Sequence, residues 1–224
     1  MTNGLKAINF FQITKKTDYL IFTKTKQNFS YNISINGQKL QEKTDIRYLG
    51  VQIDNKLSWN AHLGQLHSAL SRGCYALHKL KQYTDEIILR KVYFSLVYSK
   101  LQYCIVSWGG CAKTKILPLF KQQKRALRSI CKVNYTTPTH PLFVRHKLLK
   151  ISDVYKLKVC ILVNKLMNNN NIGELKLIKL NTIHSYNTRI RNRDNFYRTS
   201  CSTEIGKKGS KILPLNYGKM CQLI

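Results

Sequence analysis

Carboxylates are scarce in this chain. Its 224 residues hold 10 Asp and Glu against 38 Lys and Arg, a formal net charge of +28. Residues 87–152 contain no acid at all, yet carry thirteen Lys and Arg. So cationic a chain repels itself unless a polyanion is at hand, and nucleic acid is the polyanion that fits best. A membrane surface, or the lysine bias of an A/T-rich genome, are the competing readings. Such a bias accounts for surplus Lys better than for missing acids.

Other absences narrow the field. The cysteines at 74, 104, 111, 131, 160, 201 and 221 are scattered and form no C-x-x-C, which leaves zinc-ribbon and redox motifs without support. No segment reaches the ~18 apolar residues of a membrane span, and the N-terminus has no signal-peptide run. These features imply an intracellular protein, nuclear or cytoplasmic. No Asp-Asp occurs, and the adjacent acids Asp85-Glu86 read as first-turn anions complementing a helix dipole. His62 and His67 sit five apart, a poor spacing for one helical face, and His140 and His146 flank Pro141 without acidic partners. They read as structural or exposed, so no metal ligand or nucleophile–base pair is assigned. There are no convincing internal repeats.

What is present is enough to fold. At 43% apolar the chain can bury a core, and its length suits one domain, or one domain with a tail. Residues 17–23 are β-rich, residues 31–35 alternate, Asn36-Gly37 supplies a hairpin turn, and residues 45–53 return as a strand. Together residues 17–54 predict a small antiparallel sheet. From Ser58, a plausible N-cap, the period turns helical: Leu63, Leu66, Ala69, Leu70, Gly73, Leu77 and Leu80 share one side. Thr84 is placed to cap a second helix running towards Leu101. A third begins near Pro118 and runs to about Lys132. A short helical piece follows Pro138 and Pro141, and Ser152 caps a fourth helix ending near Met167. Residues 172–224 have few periodic apolar positions and an excess of bases, which predicts a loosely ordered tail. The fold class is therefore α+β: a small N-terminal antiparallel sheet, a mainly helical bundle and a basic tail.

The third helix segregates its residues. At about 100° per residue, Ile116, Leu119, Phe120, Ala126, Leu127 and Ile130 share one arc, while Lys121, Lys124, Arg125, Arg128 and Lys132 share another on the far side. With no carboxylate to interrupt it, this second face calls for a compensating anion. Phosphates answer that need, and phosphate contacts position nucleic acid without reading its sequence. Tyr93, Phe94, Tyr98, Tyr103 and Trp108 lie in apolar segments at mixed spacing and read mainly as core.

Several blocks, taken in order, resemble a known family. Residues 47–59 (RYLGVQIDNKLSW), then Tyr93, Ser95, Leu96, Leu101-Gln102-Tyr103 and Ser107-Trp108-Gly109, resemble the palm–thumb junction and thumb of reverse transcriptases from jockey-like non-long-terminal-repeat retrotransposons. Gln123-Lys124-Arg125-Ala126-Leu127-Arg128 is similar to that family's basic Q-K-R-x-x-R helix. His184-Ser185-Tyr186-Asn187-Thr188-Arg189 and residues 209–214 resemble its tail segments. Lys15-Lys16-Thr17 before Tyr19-Leu20-Ile21-Phe22 is similar to its motif D, although Ile13 stands where the family has Asn.

The resemblance implies an RNA-directed DNA polymerase family and a division of the chain into three parts. Residues 1–57 would be a palm-end remnant, 58–168 a thumb-like domain holding template–primer by its backbone, and 169–224 the basic tail. Lys16 would be the one weak catalytic candidate, as a proton donor to pyrophosphate. Tyr48, Leu49 and Gly50 would support the primer end. The family's magnesium-binding carboxylates precede motif D and have no counterpart here, so magnesium belongs to the complete polymerase and no cofactor is assigned to this chain. The expectation is a truncated, inactive polymerase part that lacks an upstream segment and partners an RNA/DNA duplex. A standalone helical protein binding nucleic acid without sequence preference is the alternative, and a helical interaction protein whose charge keeps it soluble is a third reading.

Overall fold

The computed structural model describes residues 17–22, 31–35 and 37–169. Lys16 and the segments of residues 170–224 lie outside them. Helices and small sheets combine in an α+β chain, whose contacts divide between Ser58 and Trp59 into two units.

Among its described residues, the first unit contains six short strands in three separate ladders, not the single antiparallel sheet predicted from residues 17–54. β1 (Asp18–Tyr19) pairs with β4 (Gln41–Glu42) in parallel, tied by an ion pair between Lys43 and Asp18. β2 (Ser34–Ile35) and β3 (Gln38–Lys39) form a hairpin turning at Gly37, whose φ of 78° suits glycine. β5 (Asp45–Tyr48) and β6 (Val51–Asp54) form a second hairpin. The strand expected over 45–53 is therefore broken by a turn, with Leu49 at φ 46° and Gly50 at φ 81°. Two successive positive φ values are the mark of the tight hairpin turns that match strand twist. Among the described residues of this unit, only Leu40 and Val51 are buried hydrophobics, so no continuous apolar face joins the ladders.

The second unit is helical. α1 (Asn60–Leu80) and α5 (Lys113–Ile130) make its broadest helix–helix packing. Between them in sequence come α2 (Glu86–Tyr93), a π-helical turn (Phe94–Tyr98), α3 (Ser99–Gln102) and α4 (Ile105–Trp108). α6 (His140–Arg145) packs on α5, and α7 (Ile151–Asn169) packs on α3, α4 and α5. Leu70, Leu77, Leu89, Tyr93, Leu101 and Trp108 are fully buried in one cluster. Each such side chain contributes roughly 1.5–3 kcal/mol through removal from water. Among the described residues, no helix is long and apolar enough to cross a membrane.

The helix starts depart from the sequence reading, each for a structural reason. α1 begins at Asn60 behind Trp59, whose indole packs against the core, and the Ser58 amide and hydroxyl both donate to the Asp54 carboxylate instead. Thr84 turns its hydroxyl back onto the Leu80 carbonyl, and Asp85 precedes α2. α5 starts at Lys113 and contains Pro118 internally, because Ala112 already accepts the first helical bonds from Lys115 and Ile116. α7 starts at Ile151, ahead of Ser152. The Ile151 amide donates to Gln123 Oε1 at 2.9 Å, so a side chain from α5 caps it.

Candidate nucleic-acid interface

α5 sorts its residues as its period requires. Leu119, Ala126, Leu127 and Ile130 are buried at 1% exposure or less, while Ile116 and Phe120 are partly buried against the same cluster. The opposite side opens on a groove of about 570 Å³, lined by His67, Pro118, Lys121, Gln122, Lys124, Arg125, Arg128 and Tyr135. Four cations thus share one concavity, and among the described residues no carboxylate lines it.

The cations differ in how firmly they are held. Lys124 Nζ lies 4.5 Å from the Phe120 ring centroid, and the Arg128 guanidinium lies 5.2 Å from that of Tyr135. Arg128 Nε also donates to the Thr137 carbonyl at 3.0 Å, so its guanidinium is fixed before any ligand arrives. Lys121 and Arg125 are exposed. Lys132 does not join them. The helix ends at Ile130, and Lys132 takes φ 53° in the turn beyond, away from the helical projection that grouped the five.

The groove's other wall comes from α1. His67 Nε2 and Gln122 Nε2 lie 3.0 Å apart, and the buried Gln122 Oε1 has no hydrogen-bond partner. Exchange of the amide's O and N positions lets the imidazole N–H donate to that oxygen. Sequence reasoning did not place His67 or Tyr135 here, because neither lies on α5.

Comparisons with family models, curated proteins and solved structures find no match for this chain.

Tyr48 and Leu49 stand at the β5–β6 turn, 64% and 71% exposed, beside Gly50. Leu49 holds a left-handed conformation there that costs a non-glycine residue roughly 1–2 kcal/mol. Of the aromatics expected in the core, Tyr93 and Trp108 are fully buried and Tyr98 packs against it, whereas Phe94 and Tyr103 are exposed. Trp108 Nε1 donates to the Tyr103 carbonyl at 3.0 Å.

Of the adjacent pair Asp85-Glu86, Asp85 precedes α2 and Glu86 opens it. Glu86 Oε1 lies 2.7 Å from His146 Nε2 and its Oε2 lies 3.5 Å from Arg145 Nη2, so both oxygens already face cations or donors. That pairing is unexpected from sequence, where His146 reads as lacking an acidic partner. Cys131 Sγ joins it at 3.1 Å from the same His146 nitrogen. Burial, with Glu86 adding its charge, pushes the Cys131 thiol up to about 11. Burial likewise pushes Cys74 up to about 11, and its thiol donates to the Gln122 carbonyl. Both are therefore neutral thiols at pH 7 and poor nucleophiles.

Proposed function

We propose that the helical unit binds nucleic acid by its phosphate backbone, without sequence preference, as the duplex-holding thumb of a jockey-like retrotransposon reverse transcriptase. The observation that carries this reading is the acid-free groove of Lys121, Lys124, Arg125 and Arg128 beside Tyr135. Cations at this density match a strand of phosphates, and Arg128 in particular is preorganised to receive one. The ordered blocks at 47–59, 93–109 and 123–128 support the family origin. On the same reading the exposed turn of Tyr48, Leu49 and Gly50 supports a primer end.

Polymerase chemistry is not assigned to these residues. Two-metal nucleotidyl transfer needs converging carboxylates, and the sequence holds no Asp-Asp, its one adjacent acidic pair being Asp85-Glu86. A second reading, a free-standing nucleic-acid-binding helical protein, draws on the groove alone, since all its lining residues belong to the helical unit.

Purified protein titrated against fluorescent RNA–DNA hybrid, duplex DNA and duplexes of scrambled sequence tests the proposal. Affinity should fall steeply with salt and vary little with sequence. Salt-independent binding, or no binding at low salt, would overturn it. Binding to the hybrid well above other duplexes favours the polymerase origin over the free-standing reading. Primer extension with magnesium should give no incorporation.

A further inference from the structure

The first residue of α2, the residue closing α5 and the residue closing α6 bring three chemically different donors together. Glu86 Oε1 and Cys131 Sγ lie 2.7 Å and 3.1 Å from His146 Nε2, and the three donor atoms all fall within 4.8 Å of one another. We propose that Glu86, Cys131 and His146 bind a divalent metal ion of the zinc class. The site shares no residue with the basic groove and stands independently of it.

Convergence is the deciding feature. In a nucleophile–base–orienter relay the thiol and the carboxylate would address opposite nitrogens of the imidazole. Here both address Nε2, which places the three donors around one point. A tetrahedral zinc ion with bonds of about 2.0–2.3 Å separates its ligand atoms by roughly 3.3–3.8 Å. Glu86 and Cys131 therefore need to move from His146 Nε2 by well under about 1 Å to admit it, a displacement within reach of side-chain torsions alone.

The donor set selects the ion. Thiolate and imidazole suit zinc and cobalt and disfavour magnesium and calcium, which prefer all-oxygen shells. Thiolate and carboxylate together neutralise a dication, so the occupied site itself carries no net charge. Binding releases the thiol proton to solvent, and the imidazole, with its proton on Nδ1, presents the Nε2 lone pair to the ion. Arg145, 3.5 Å from the other carboxylate oxygen, orients Glu86 without occupying Oε1. The His146 side chain is 7% exposed and that of Glu86 37%, so the site opens to water on the carboxylate side, where a fourth ligand can enter.

The backbone holds two of the donors in place. Beyond Cys131, the amides of Lys132 and Val133 donate to the carbonyls of Ser129 and Arg128, and Lys132 takes φ 53°. Beyond His146, the amides of Lys147 and Leu148 donate to Val144 and Phe143, and Lys147 takes φ 50°. Each helix thus ends in the same reciprocal pair of hydrogen bonds with its donor residue at the cap. A bound ion would clamp the ends of α2, α5 and α6 together.

Titrating the metal-free full chain with Co²⁺ tests the site. The expected result is one ion per chain, a thiolate-to-cobalt charge-transfer band with intense tetrahedral d–d absorption, and displacement by one equivalent of Zn²⁺. Cys131→Ser should remove the charge-transfer band, and His146→Gln should weaken binding at least about 100-fold. Cys104→Ser, at an exposed cysteine elsewhere, should change neither. Should His146→Gln fail to fold by circular dichroism, Glu86→Gln replaces it: the band persists while affinity drops at least about tenfold. Absence of the band in the parent chain, or its survival in Cys131→Ser, would show that no such site exists.

Discussion

Gln123 Nε2 donates to the Tyr93 hydroxyl at 3.0 Å, and both residues are fully buried. The same amide donates to the Leu149 carbonyl at 2.9 Å and accepts from the Ile151 amide at 2.9 Å. One side chain on α5 thereby joins α2, the loop before α7 and the first turn of α7. Its polar groups are satisfied where an unsatisfied one would cost roughly 1–3 kcal/mol.

Gln123→Leu should therefore destabilise the helical unit by about 3 kcal/mol or more, since it strands the Leu149 carbonyl and the Ile151 amide and leaves α7 uncapped. Tyr93→Phe removes a single partner and should cost only about 1 kcal/mol. Urea denaturation followed by far-ultraviolet circular dichroism measures both. Equal losses would show that the three-way junction is not what holds these helices.

The groove makes a separate prediction about salt. Removing one cation that meets a phosphate should lower the slope of log affinity against log salt by about 0.9 on duplex DNA. Lys121→Gln should thus reduce the slope by about one and leave stability unchanged, because Lys121 is exposed. Arg128→Gln should reduce the slope similarly and also lower the melting temperature, since it removes the Nε bond to Thr137. Lys132→Gln should have the smallest effect of the five, being outside the groove.

Two glycines in the helical unit should respond in opposite directions to alanine. A Cβ on Gly109 would meet the Ile105 carbonyl at 2.5 Å and the Tyr155 ring at 2.6 Å, so Gly109→Ala should cost about 1–3 kcal/mol. A Cβ on Gly64, within α1, meets nothing within 4 Å, so Gly64→Ala should gain up to about 1 kcal/mol through helix propensity. Paired thermal melts decide this.

Acid should weaken the fold through His62. The ring is 8% exposed and sits against Trp59 and Trp108, with centroids 6.4 Å and 5.9 Å away, and burial lowers its pKa from the ordinary 6.5. The unfolded chain then takes up the proton first as pH falls. His62 thus imposes no penalty above about pH 6.5, and a growing one as pH drops from there towards its lower folded value. His62→Phe should flatten this part of a melting-temperature profile between pH 8 and pH 5. A profile identical to the parent would exclude His62 as the source.

The helical unit was largely legible because its apolar residues recur with a period close to 3.6, which marks both the existence and the buried side of α1 and α5. The hairpin at Gly37 was legible for a similar reason, since the turn needs a residue that accepts positive φ. The helix starts were not. Ser58, Thr84 and Ser152 are good caps in isolation, but each is displaced: at α1 by Trp59, whose indole packs on the core, at Thr84 by the carbonyl of Leu80 one turn back, and at α7 by the distant Gln123 side chain. A cap is worth about 1 kcal/mol at such positions, and core packing at Trp59, the Leu80 carbonyl and the Gln123 side chain each outweigh it. The β ladders were overdrawn because strands of two to four residues carry too little pattern to set their partners.

By itself, the sequence determined the charge, the segregation of α5 into an apolar and a basic face, and the lack of an Asp-Asp pair, because these are properties of composition and local period. Only the tertiary structure decided that four of the five cations share a groove with His67 and Tyr135, while Lys132 turns away. Only it could bring Glu86, Cys131 and His146 to one point. Residues so far apart along the chain share no period, and their meeting depends on where three helix ends are placed by the core between them.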